Sequence, residues 1–124
     1  VKEGVVPHRL VVTRQVRDWL HALRSGDPIT RRLVAEAIDR LLDEGPQLGR
    51  PLADRITGSR LHNLKELRPG SSGTSEVRIL FIFDPARNAV LLIAGDKSGR
   101  WQEWYREAIP AAEAIYEAYL KEQP

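Results

Sequence analysis

The sequence predicts an α+β fold in which helices pack on one face of a small twisted antiparallel sheet. Three observations predict it. Two apolar stripes at helical spacing stand before residue 45, three β-rich runs follow at about 61–68, 76–83 and 89–95, and a further helical region closes the chain. The links between the runs are too short for a crossover, so the runs should form an antiparallel meander.

Taken in order, Val5 to Val12 is apolar and β-branched enough for a first strand. Thr13 then offers an N-cap for a helix over about residues 14–24, with Val16, Trp19, Leu20 and Leu23 on one face. Ser25-Gly26 ends it. Asp27-Pro28 restarts a helix with a cap residue and a proline at the first helical position. Leu33, Val34, Ala37, Ile38, Leu41 and Leu42 form its buried stripe, and Gly45-Pro46 stops it. Residues 46–60 read as a connector punctuated by Pro46, Gly49, Pro51, Gly58 and Ser59. Pro69-Gly70-Ser71-Ser72-Gly73 is expected to be a flexible loop, and Asp84-Pro85-Ala86-Arg87-Asn88 a type I turn with proline in its second position. Trp101, Trp104, Tyr105, Ala108 and Ile109 begin the closing region, where Pro110 is expected to open a second helical run to about Lys121. With no repeat and no second core, one domain is expected over residues 1–124.

Composition narrows the chemistry. Charged residues at 29% and hydrophobic residues at 42% are those of an ordinary globular protein. There is no cysteine, which excludes a disulfide scaffold, a thiolate zinc site and a cysteine nucleophile. The histidines His8, His21 and His62 stand at no metal-ligand spacing, so no metal or cofactor is expected. No apolar run approaches the roughly 18 residues of a membrane span, and no signal-peptide pattern opens the sequence; a cytoplasmic protein is expected. Net charge is only +2 but unevenly placed: residues 51–100 carry eight Lys/Arg against five Asp/Glu, and residues 101–124 carry two against five. An anionic partner is therefore steered to the sheet region.

The basic residues of that region fall on the strands. Side chains alternate faces along a strand, so Arg78, Leu80 and Ile82 share one face of the 76–83 run and Ile79, Phe81 and Phe83 the other. The heavier apolar set should meet the helices and leave Arg78 on the open face. On 61–68, His62, Leu64, Glu66 and Arg68 share a face against Leu61, Asn63, Lys65 and Leu67. Pairing across the meander can set Arg68 near Arg78, with Lys97 at the same mouth, and such a cluster of cations suits a phosphate. The plainer readings are that Arg78 pairs with Glu66 or Glu76, that Lys97 is loop solvation, and that Trp101 and Trp104 pack between helix and sheet rather than serve as base platforms.

The motifs Leu64-Lys65-Glu66-Leu67-Arg68, Glu76 to Asp84, Ala89 to Gly99 and Trp101 to Leu120 are each short, but their order and spacing resemble the RelE/HigB family of small bacterial toxins over nearly the whole chain. The resemblance implies a RelE-like fold, a twisted sheet against two N-terminal helices with a C-terminal helical region. It also implies a type II toxin–antitoxin toxin, a metal-independent endoribonuclease (mRNA interferase) that cuts mRNA, usually on the ribosome, and is silenced by a cognate antitoxin, here expected to be a DNA-binding HigA-like protein. Positions matching Arg68 and Arg78 would hold the phosphate, Lys97 would transfer a proton or add charge, and Tyr105 would contact a base. Some family nucleases carry lysines where this chain has Leu64 and Glu66, so Glu66 or His62 is an alternative general base. Arg60, His62, Lys65 and Arg100 are candidate RNA contacts. ParE-type relatives share the fold but poison DNA gyrase without cutting RNA, which gives the alternative function.

Overall fold

A computed structural model of the chain describes residues 8–123. Its sheet comprises β1 (Leu10–Val12), β2 (Ala53–Arg55), β3 (Lys65–Leu67), β4 (Val77–Phe83) and β5 (Ala89–Asp96), in the order β1-β5-β4-β3-β2. The expected meander is present, since β3, β4 and β5 pair antiparallel in succession. Three details differ from the expectation. β1 joins the sheet edge parallel to β5, so the sheet is mixed; Val5 to Pro7 of the expected first strand lie outside the described residues. β2 arises inside the segment read as a connector and pairs antiparallel with β3. The 61–68 run is a strand only over Lys65–Leu67, because residues 62–63 turn before it.

The helices are α1 (Arg14–Gly26), α2 (Pro28–Glu44) and α3 (Trp101–Glu122), with one 3-10 turn at Gly45–Gln47. Asp27 caps α2 as expected: its carboxylate accepts from the Thr30 backbone N–H at 3.1 Å. Thr13 stands at the α1 N-cap but makes no side-chain cap bond, because its hydroxyl donates instead to the Leu91 carbonyl of β5 at 2.7 Å. Gln15 extends this tie, its amide accepting from Ala94 N–H and donating to the Ala94 carbonyl, both at 2.9 Å. These side chains continue the β5 ladder where β1 stops. The loop expected to be flexible is also tied: the Ser72 hydroxyl donates to Asp27 at 2.7 Å and its N–H to Thr30 Oγ1 at 2.9 Å. The hairpin turn forms as expected, with Arg87 N–H donating to the Asp84 carbonyl at 2.8 Å.

Pro110 does not open a second helix. It lies inside one continuous helix, at a solvent-facing position, as does Arg106, whose carbonyl the missing proline N–H would have met. Water can serve that carbonyl, so the helix continues.

Helices cover both faces of the sheet rather than one. Ile79, Phe81, Leu67, Ala89 and Leu91 pack with Val16 of α1 and Val34, Ile38 and Leu41 of α2. Leu80, Ile82, Val90 and Leu92 pack with Trp104, Ala108, Ala112 and Tyr116 of α3. A register shift opposite Leu80/Phe81 lets neighbours Leu92 and Ile93 both face α3. The face expected to be open over Arg78 is therefore roofed by α3 along most of its length. At Gly95 the roof touches the backbone: a Cβ there would stand 2.5 Å from Trp104 Nε1. Among the described residues no helix is long and apolar enough to cross a membrane.

Candidate functional site

Where α3 begins, its roof leaves a cleft of about 410 Å³ lined by Arg55, Glu66, Arg68, Lys97, Trp101 and Tyr105, among others. Glu66 of β3 lies at its floor and is only 3% exposed. A carboxylate that deep requires compensation, and here several donors supply it. Arg68 reaches it through Nε at 2.9 Å and Nη2 at 2.8 Å. The Tyr105 hydroxyl donates to the other oxygen at 2.5 Å. The Arg78 Nε lies 3.9 Å from that same oxygen.

The sequence thus placed Glu66, Arg68 and Arg78 on the correct common face, and the plain reading of an Arg78–Glu66 pair is part of the site's geometry. Arg78 is held by donating Nη1 to its neighbour's carbonyl at Val77, 2.8 Å away, while its buried Nε has no hydrogen-bond partner among the described residues. Arg68 is braced from outside by Asp54 at 3.2 Å. Burial opposes the Arg68 charge, but the Glu66 hydrogen bond and the Glu66 and Asp54 charges outweigh it and raise its pKa.

Lys97 is positioned by the turn after β5. Asp96 Oδ1 accepts from the N–H groups of Glu76 and Ser98, both at 2.9 Å, and the Lys97 N–H donates to the Glu76 carbonyl at 3.0 Å. The ammonium then sits 4.9 Å from the Trp101 ring centroid and 5.2 Å from that of Tyr105. Burial first, and the Arg78 charge second, lower its pKa from the ordinary lysine value. Burial and the Glu66 hydrogen bond push the Tyr105 hydroxyl well above its ordinary value, so it stays a proton donor.

The remaining expected contacts are scattered. His62 and Arg60 line a different depression of about 370 Å³ beside Asp84 and Tyr116. Arg60 pairs with Glu117, and its backbone N–H donates to Glu113 at 2.9 Å. The Lys65 ammonium donates to the Pro46 carbonyl at 3.0 Å. Arg100 stands at the N-cap of α3 and pairs with Glu107 at 2.9 Å. One cleft residue, Arg55, escaped the sequence reading, and another, Trp101, sits otherwise than expected. Arg55 is exposed, lines the cleft and makes no ion pair among the described residues; only the unforeseen β2 pairing brings it there. Trp101, expected to pack, is 54% exposed at the cleft lip.

A mixed sheet packed by α1 and α2 on one face and by α3 on the other is a RelE-like fold. The solved structure of the E. coli toxin RelE, a double arginine-to-alanine mutant in the free state, matches with a TM-score of 0.58 at 15% identity, over 85% of this chain and 97% of that one. That likeness concerns the fold. The chain belongs to the phage-derived protein Gp49-like family, whose model matches residues 18–117. Among its relatives in Mycobacterium tuberculosis (strain ATCC 25618 / H37Rv), the candidate toxin HigB2 is 54% identical over 106 residues, covering 86% of this chain and 51% of the relative. The candidate toxin HigB3 is 48% identical over 111 residues, covering 90% of this chain and 92% of the relative. The chain therefore spans about half the length of the first relative and nearly all of the second. The family agrees with the resemblance read from the sequence motifs.

Proposed function

We propose that this protein is the toxin of a type II toxin–antitoxin pair and a metal-independent endoribonuclease that cleaves mRNA on the ribosome in the cytoplasm. The carrying observation is that Arg68, Lys97 and Tyr105 line one cleft over the buried Glu66 carboxylate, with Arg78 3.9 Å from that carboxylate at the cleft floor. RNA cleavage without a metal needs removal of the ribose 2′-OH proton, protonation of the leaving 5′ oxygen, and cations around the crowded phosphate. Arg68 and Arg78 supply fixed charge. Lys97, whose burial and cationic neighbour favour the neutral amine, takes the 2′-OH proton, and solvent water protonates the leaving 5′ oxygen. Tyr105, whose hydroxyl proton is committed to Glu66, presents its ring to the strand. Glu66, with both oxygens engaged by donors, aligns Arg68 and Tyr105 rather than acting as the base. Arg55, free of a carboxylate, holds a flanking phosphate. The ribosome supplies the alignment of the strand that a cleft this small does not. A HigA-like antitoxin is the proposed partner; the toxin names of the Mycobacterium tuberculosis relatives support that reading.

The test is cleavage of one defined transcript, naked and on translating ribosomes, by wild type and Arg78→Ala. Cuts on ribosomes that vanish in the variant support the whole proposal. Cuts in naked RNA retain the nuclease without its ribosome. Growth arrest with no cleavage in either format would discard the nuclease and direct attention to DNA gyrase.

A further inference from the structure

Trp101 is the misfit of the cleft. Trp104, three residues on, is 7% exposed and seated on Gly95, whereas Trp101 in the first turn of the same helix leaves more than half its surface in water. An apolar ring left exposed gains nothing for folding and offers its burial to a ligand. The ring also has a defined neighbour, the Lys97 ammonium at 4.9 Å. It separates two depressions. One is the cleft over Glu66; the other is an open hollow of about 660 Å³ lined by Glu76, Arg100, Gln102 and Glu103.

Tyr105 is a poorer platform. It is held edge-on against Trp104, with ring centroids 5.1 Å apart and planes at 79°, and its hydroxyl is committed to Glu66. The cations of the cleft favour a phosphate on one side of Trp101. On the other side, the Glu76 carboxylate makes no side-chain hydrogen bond or ion pair among the described residues, though its charge acts on Lys97, and its oxygens can accept from a ligand. Phosphate, flat ring and acceptor in succession are the chemistry of one nucleotide of single-stranded RNA.

We infer that Trp101 is a base-stacking platform for the nucleotide beside the scissile phosphate, and that Glu76 and Gln102 in the hollow beyond it read the base edge. Carboxylate acceptors there favour bases with an exocyclic amine, namely adenine, cytosine and guanine, over uracil. This rests on the nuclease reading of the same cleft, and it adds a specificity residue to it.

The experiment has two arms, using the intact protein. In the first, tryptophan fluorescence is titrated with short, uncleavable 2′-O-methyl RNA in wild type, Trp101→Ala and Trp101→Phe. Stacking should quench wild type, quenching should disappear in both variants, and binding to Trp101→Ala followed by a labelled oligonucleotide should weaken about 5- to 150-fold. Trp101→Phe should retain most of the affinity. In the second arm, cut sites are mapped on one transcript, naked and on ribosomes. Trp101→Ala and Glu76→Gln should lose the preference against a flanking uracil, a change that general destabilisation would not produce. Wild-type quenching in Trp101→Phe, or an unchanged cut spectrum in Trp101→Ala, overturns the platform while leaving the nuclease standing. Weakened antitoxin capture with unchanged RNA binding also overturns it, assigning the ring to a protein contact. If wild type leaves every transcript intact yet is quenched through Trp101, the nuclease falls and the base platform stands.

Discussion

The Tyr105 hydroxyl and the Glu66 carboxylate meet at 2.5 Å, tying the first turns of α3 to the short strand β3 across the cleft floor. Tyr105→Phe should therefore cost stability, roughly 1.5 kcal/mol, the low end for a bond to a charged group because Arg68 still serves Glu66. Glu66→Leu should cost more, about 3 kcal/mol, since it leaves two arginines around a buried site without their carboxylate. Urea unfolding measures both. Glu66→Gln separates alignment from base catalysis. An aligning carboxylate predicts less than about a tenfold loss of cleavage, where loss of a general base costs about 10²–10⁴.

Lys97 should give cleavage its pH dependence. Its lowered pKa means that the neutral amine becomes available below the ordinary lysine range, so the single-turnover rate should climb with pH before that range is reached. Lys97→Arg keeps the charge but cannot lose it, and should flatten the climb while slowing cleavage by about 10²–10⁴. A parallel climb in the variant would move the base elsewhere.

Arg55 should contribute affinity rather than chemistry. Arg55→Ala is expected to weaken RNA binding uniformly across sequences and to reduce the salt slope of log K by about 0.7, the value for one single-stranded phosphate. Filter binding at several salt concentrations reads both, and an unchanged slope would remove Arg55 from the RNA path.

Asp84 should carry part of the acid sensitivity of the fold. Burial opposes its ionisation, but donors at Tyr119 (2.6 Å), Asn88 N–H (2.8 Å) and Asn88 Nδ2 (3.0 Å) outweigh it and hold its pKa below the ordinary value. A depressed folded pKa contributes stability above the unfolded value of about 3.9 that is lost as pH falls through the folded one. Asp84→Asn should thus be less stable than wild type near pH 7, with the gap closing in acid. Tyr119→Phe should lose roughly 1.5 kcal/mol at neutral pH. Urea midpoints across the acid range decide it.

Gly95 and Gly26 should respond oppositely to alanine. A Cβ at Gly95 would press on the Trp104 ring and displace the start of α3, costing about 1–3 kcal/mol and weakening cleavage with it. A Cβ at Gly26, at the end of α1, would meet nothing within 4 Å among the described residues, and Gly26 has no positive φ, so Gly26→Ala should stabilise by about 0.4–1 kcal/mol. Thermal melts of the two variants test the contrast.

The sequence by itself determined the elements with strong periodicity: the stripes of α1 and α2, the Asp27 cap, the β3–β4–β5 meander, and the shared face of Glu66, Arg68 and Arg78. These follow from local rules of spacing and alternation, which a single strand or helix obeys alone. Only the tertiary structure decided the rest. Ala53-Asp54-Arg55 has no β-branched or aromatic residue and becomes a strand because β3 offers it a ladder. Pro110 stays helical because solvent, not protein, faces the freed carbonyl at Arg106. Thr13 abandons its cap for β5, seventy-eight residues away. The site was half legible for the same reason: which cations lie on a face is local, whereas the roofing of that face by α3, the carboxylate at the centre of the cations and the exposure of Trp101 depend on where a distant helix comes to rest.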